Sequence, residues 1–221
     1  MSFDKSEVFP LQAAETDSGP KRARRSDAVA NRELILATAQ HLFSEQGVAN
    51  VCMTAIAEAA EIGKGTLYRG FANKGDLCLA LMDEDMRTFQ NKTIHLLRSN
   101  TDKPALSRLE SFLDSLVRFM DFHAPLLREA QLQGVLHSEA QRRQVSPQMW
   151  LPWLRETISR LLLQAEQRSE THGLDIPYLV DAILAPLNAD LFMYQREVLG
   201  FEIERISSGL RHLVLDGCRQ R

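Results

Sequence analysis

Two short helical segments joined by three residues constrain this chain more than any other feature. The string MTAIAEAA (53–60) is rich in Ala and puts Ile56 and Ala60 on one face, while KGTLYRGF (64–71) brings Leu67 and Phe71 together at i and i+4. Glu61-Ile62-Gly63 between them is too short to form an independent loop, so the two helices must turn a tight corner. A longer helix precedes the pair. Ile35, Ala39, Leu42 and Phe43 fall at i, i+4, i+7 and i+8, with Ser26 as the expected N-cap and Gly47 as the stop.

After Phe71 a long helix restarts, with Leu77, Leu81, Met86 and Phe89 facing inward. Further helices are expected at about 104–121, 123–136, 147–169, 176–199 and 202–216, broken by Asp102-Lys103-Pro104, Ser146-Pro147, His172-Gly173 and Gly200. Pro186, inside 176–199, should kink or break its helix. No stretch alternates with period two for long enough to make a strand, and no repeat of 20–50 residues occurs, so the class is all-α. Residues 1–25 mix Pro, Gly, Ser and Asp without apolar periodicity and end in KRARR, which predicts a disordered, basic-tipped arm carrying Lys21, Arg22, Arg24 and Arg25.

Charge divides the chain in the same place. The formal net charge is −3, but residues 21–74 carry eight basic and five acidic side chains, whereas 1–20 and 75–221 are each net acidic. Contact with a polyanion is therefore expected at one end of the molecule. No apolar run approaches the roughly 20 residues that span a bilayer, and the start MSFDKSEVFP lacks the basic-then-apolar order of a signal peptide, so the expected location is the cytoplasm.

The common catalytic signatures are missing from the sequence. GKGT (63–66) mimics the end of a phosphate-binding loop, but the loop's first glycine would fall on Glu58, within a helix. No Glu-x-x-His pair exists for a di-metal bundle, His137-Ser138-Glu139 has no P-C-x-x-C after it, and no G-x-S-x-G is present. Cys52, Cys78 and Cys218 are odd in number and never spaced C-x-x-C, which suits three reduced thiols rather than disulfides or a zinc site. No cofactor, metal or catalysis is expected. The competing expectation is a helical small-molecule-binding protein or enzyme that uses a cavity in the larger helical part.

Helix, short helix, corner, short polar helix and long helix behind a basic segment is the plan of a helix-turn-helix reader. Over Asn31 to about Asn91, and above all in IAEAAEIGKGTLYRGFANKGDL (56–77), the chain resembles the DNA-binding domain of the TetR family of transcriptional regulators. The resemblance implies a helix-turn-helix domain at 26–74 (family-type limits about 31–91) and a helical effector-binding and dimerisation domain at 75–221. It implies DNA contacts from Thr54, Lys64, Gly65, Thr66, Tyr68 and Arg69, with Lys74 meeting a phosphate. Arg69 is the candidate base reader, since a guanidinium bound bidentately to guanine discriminates by roughly 1–3 kcal/mol. Three positions depart from the family pattern. Cys52 stands where a capping Thr is usual, Glu61 where a turn glycine is usual, and Gly70 where Tyr or His is frequent.

The resemblance also implies a homodimer built from the last two helices (about 176–216), gripping a pseudo-palindromic double-stranded operator, and a pocket for a small apolar or aromatic effector. Residues expected to line that pocket are Phe119, Phe122, His123, Met149, Trp150, Trp153 and Tyr194, with Gln131 as a second polar contact. The implied function is a ligand-responsive repressor working by population shift.

Overall fold

The computed structural model describes residues 20–134 and 150–216, with side chains over 27–134 and 150–214. The regular structure of the described residues is all helical and includes no strand. The order is α1 (Pro20–Gln46), a 3-10 turn (Val48–Asn50), α2 (Met53–Ala59), α3 (Lys64–Gly70), α4 (Lys74–Ser99), α5 (Ala105–Leu132), α6 (Trp150–Gln167), α7 (Ile176–Leu184), a 3-10 turn (Ala185–Leu187), α8 (Ala189–Met193) and α9 (Ile203–Arg211). Single π-turns extend α8 over Tyr194–Val198 and α9 over His212–Asp216.

Two boundaries differ from expectation, and one expected break is present. Helix α1 begins at Pro20, not Ser26, so the KRARR backbone is helical rather than part of a disordered arm. Proline suits a first helical turn, where no N–H partner is needed, and Ala, Arg and Lys are good helix formers. Next, α5 runs unbroken through Phe122 with Pro125 inside it. Pro125 removes one intrahelical bond, but the flanking Ala124 and Leu127 are 2% exposed and hold the helix in the core. Finally, 176–199 breaks, as the proline implies: the chain bends by 45° between its two halves, and Asn188 caps α8 by accepting from the Asp190 N–H.

Two apolar cores result. The smaller joins Ile35, Ala39 and Phe43 of α1 to Ile56 of α2, Leu67 of α3, and Leu77 and Cys78 of α4. The larger assembles Leu109, Phe112, Leu116 and Met120 of α5 with Met82 of α4, Leu154, Ile158 and Leu162 of α6, and Phe192 and Ile206 further on. The small core reaches past Lys74 into the first turns of α4, and Leu126 of α5 packs against both cores. Helix α5 is thus the spine, and its N-terminus is fastened by a distant residue. The Glu170 carboxylate accepts from the backbone N–H groups of Ala105 and Leu106 at 2.7 and 2.8 Å, satisfying two orphan donors at the positive end of the helix.

Candidate nucleic-acid interface

The corner between α2 and α3 is a Schellman turn. Ile62 N–H donates to the Ala57 carbonyl at 3.0 Å and Glu61 N–H to the Glu58 carbonyl at 3.1 Å, which throws Glu61 into the left-handed region at φ 53°. A Cβ is disfavoured there, so Glu61→Gly should stabilise the fold by about 1 kcal/mol, partly offset by the greater chain entropy of glycine. A rise of about 2–4 °C in a thermal melt is the expected reading, and a fall would contradict the strain argument. At the other end of α2, Cys52 adopts extended N-cap geometry but supplies no side-chain cap. The side-chain cap that a threonine would give here is therefore absent.

This corner fixes which side of α3 faces outward. Leu67 is wholly buried and Phe71 is 3% exposed, while Lys64, Gly65, Tyr68 and Arg69 face solvent. Thr66 is half-buried and accepts a hydrogen bond from the Arg69 guanidinium at 3.2 Å, which orients Arg69 along the outer face. Thr54 is half-buried in the first turn of α2. A Cβ on Gly65 would meet nothing within 4 Å, so no internal contact demands glycine at a place where alanine would favour the helix. Between α1 and α3 lies an open cleft of about 660 Å³, lined by Asp27, Asn31, Arg32, Thr66 and Arg69. The Arg32 guanidinium lies 4.4 Å over the Phe71 ring and reaches the Gly70 carbonyl at 3.5 Å, so α1 braces the end of α3. The side chains of Lys21, Arg22, Arg24 and Arg25 lie outside the described ones.

Lys74 departs from its expected role. It is buried, with its ammonium 3.4 Å from a Glu129 carboxylate oxygen and 5.9 Å from the Phe43 ring centre, so it is not presented to a phosphate. The same pocket of charge surrounds Cys78. Burial and the neighbouring Glu129 push its thiol up to about 12, against the opposing pull of Lys74. Nothing in the local sequence signals Glu129, because it meets Lys74 only through the packing of α5 on α4.

The larger core holds a cavity of about 300 Å³ between α5, α6 and α7, lined by Leu116, Met120, Leu127, Trp150 and Leu154, with Gln131 and Asn188 among its polar edges. Of the residues expected there, only Trp150 lines it, together with Gln131. Phe119 and Trp153 instead pack with Phe89, at 4.8 and 5.8 Å between ring centres, as core. Phe122 is 77% exposed and Tyr194 is half exposed. His123 is buried between Phe119 and Phe122, facing Asp85 at 3.6 Å. Burial holds its imidazole below the usual histidine value, with Asp85 pulling the other way. Met149 lies outside the described residues. Aromatic side chains at helical spacing filled the interior, whereas aliphatic residues that looked like ordinary core line the cavity. Among the described residues no group of His, Cys, Asp or Glu has the arrangement of a metal site.

Comparison with known proteins fits this geometry. The model for bacterial regulatory proteins of the tetR family matches residues 35–81, which hold most of the small core and all of α2 and α3. The HTH-type transcriptional regulator SAB2452 of Staphylococcus aureus (strain bovine RF122 / ET3-1) is 48% identical over 65 residues, 29% of this chain and 35% of that protein. SAR2658 of S. aureus (strain MRSA252), also an HTH-type transcriptional regulator, is 37% identical over 105 residues, 47% of this chain and 55% of that protein. The chain thus spans about a third to a half of the length of these curated relatives. SAR0097 from the same strain is 28% identical over 177 residues, 86% of its length. Among solved structures, the Thermus thermophilus FadR repressor, in complex with lauroyl-CoA, superposes with a TM-score of 0.63 at 17% identity, covering 86% of this chain and 96% of that one. The Bacillus halodurans FadR gives 0.59 at 20% identity over 86% and 97%. The matched segment forms the exposed helix pair, so residues 35–81 carry the pattern of the tetR family of bacterial regulatory proteins, and the fold as a whole is similar to that of those solved structures.

Proposed function

We propose that the protein is a ligand-responsive transcriptional repressor that binds a pseudo-palindromic DNA operator as a homodimer and has no catalytic activity of its own. The observation that carries this reading is α3, whose one face is locked into the small core by Leu67 while Lys64, Gly65, Tyr68 and Arg69 stand clear on the other. A glycine with open space at its Cβ, beside a lysine and a guanidinium, suits close approach to a major groove. In this reading α1 to α3 form the reading head, residues 75–221 the effector-binding and dimerisation body, and the positive charge of Lys21, Arg22, Arg24 and Arg25 adds to the attraction for phosphates. One head grips only a few base pairs, so two are needed, roughly 34–36 Å apart on successive turns. Leu191, Tyr194, Val198 and Leu213 are 43–67% exposed on the last helices and supply an apolar face for the twin. The cavity between α5, α6 and α7 accepts a small, largely apolar effector with a polar group at Gln131 or Asn188. No single described helix is long and apolar enough to cross a membrane. A repressor works where the DNA is, in the cytoplasm.

The test is binding to a randomised duplex pool at two salt concentrations, with Arg69→Ala alongside. Selective binding that falls steeply with salt, and a roughly 5- to 150-fold loss of selectivity in Arg69→Ala, is the expected result. The cavity supports a second reading, a small-molecule carrier. It predicts no duplex enriched from the pool at either salt concentration.

A further inference from the structure

We propose that Glu129, a residue of the body that faces no DNA, is a positioning residue for operator binding, acting through its buried ion pair with Lys74. This rests on the DNA-binding reading above. Lys74 is the first residue of α4, whose next turn supplies Leu77 and Cys78 to the small core of the head, while Glu129 sits in the last turns of α5. Their side chains are only 10% and 11% exposed, with 3.4 Å between ammonium and carboxylate. Around them the joint is apolar. Leu126 packs against both cores, and Ala130 packs on Leu79, each of the last two being no more than 2% exposed.

Apolar contact is non-directional and tolerates small shifts of one surface over another, so Leu126, Leu79 and Ala130 hold the head on the body without fixing its angle. A buried ion pair behaves differently. Separating the charges without water to receive them is penalised steeply, so the pair selects the one pose in which it is closed. Among the described residues it is the one ion pair that ties the first turn of α4 to α5. It therefore sets the angle at which α3 is presented, and with it the spacing of the two recognition helices in a dimer. The opposite face of the same turns of α5, at Leu127 and Gln131, lines the cavity, so the residue that sets the head is mounted on the cavity wall.

The experiment uses a duplex that the wild-type protein has enriched from a randomised pool, and compares Glu129→Gln, Lys74→Met and the double variant Lys74→Met/Glu129→Leu in binding and in thermal melting. Replacing both charges by apolar groups of similar size removes the direction of the contact while leaving the joint packed. The double variant should therefore melt at or above the wild-type temperature yet bind the duplex at least 10-fold more weakly. Glu129→Gln should lose at least as much affinity with the slope of affinity against salt unchanged, because no phosphate contact is lost. Two patterns among the variants overturn the proposal, besides a wild type that enriches no duplex and a set of variants that is wholly unaffected. In one, affinity in the double variant recovers along with its melting temperature, which makes the pair a packing element only. In the other, Lys74→Met lowers the salt slope by about one contact while Glu129→Gln binds like wild type, which makes Lys74 a phosphate ligand. Should Glu129→Gln not fold, the double variant still decides. A wild-type protein that enriches no duplex overturns the regulator reading and this inference with it, whereas a binding wild type with unaffected variants overturns this inference alone.

Discussion

Val198→Glu combined with Leu213→Glu should leave a folded monomer that has lost specific DNA binding, a fall of about a thousandfold or more in operator affinity. Both side chains are 67% exposed on the single chain, so charging them removes little from its own core. In a dimer with twofold symmetry the same patch meets itself, so each substitution is felt twice and places like charges in a desolvated seam. The remaining head then binds with the weak, salt-dominated affinity of phosphate contact alone. Sedimentation velocity reads the mass, and titration with an enriched duplex reads the affinity. A variant that still sediments as a dimer would move the interface away from the last helices, and a monomer that retained full affinity would remove the need for two heads.

The next largest effect is expected at Phe112. Its ring is 1% exposed and packs against Phe89 at 6.2 Å and edge-on to Trp153 at 6.0 Å, in the middle of the larger core. Phe112→Ala removes that surface from the spine helix and leaves a void that three helices share, at a cost of about 3–5 kcal/mol. Domains are stable by only about 5–15 kcal/mol, so this is a large part of the total. A drop of about 10 °C in melting temperature is expected, with altered tryptophan emission from the loss of the ring beside Trp153. A loss below about 1 kcal/mol would mean that the core collapses into the void and that Phe112 is not central to it.

The reading head was legible because its determinants are local. The spacing of Ile56, Leu67 and Phe71, and the three-residue corner, gave α2 and α3 to within a residue of their observed ends. Glu61, which the resemblance marked as standing where a turn glycine is usual, adopts its positive φ in a turn closed by its immediate neighbours. The start of α1 was misplaced because Ser26 is a good cap by type, yet the KRARR segment ahead of it also favours a helix and continues it to Pro20. The effector residues were harder. Phe119, Trp153 and His123 show the pattern of a pocket and of a packed interior equally well, since hydrophobic periodicity reports which face is inside and not whether that inside is full.

By itself, then, the sequence determined an all-α chain with a basic, sharply cornered helix pair and an exposed face bearing Lys64, Tyr68 and Arg69. Those properties depend on residues a few positions apart, where backbone geometry fixes which side chains share a face. Only the tertiary structure decided the fate of Lys74, the place of the cavity, and which apolar residues of the last helices stay uncovered. Each of these depends on what packs opposite. Lys74 is an ordinary exposed-type residue until α5 brings Glu129 against it and closes out the water. Leu116 and Leu127 are ordinary core residues until α6 and α7 stop short of filling the space beside them.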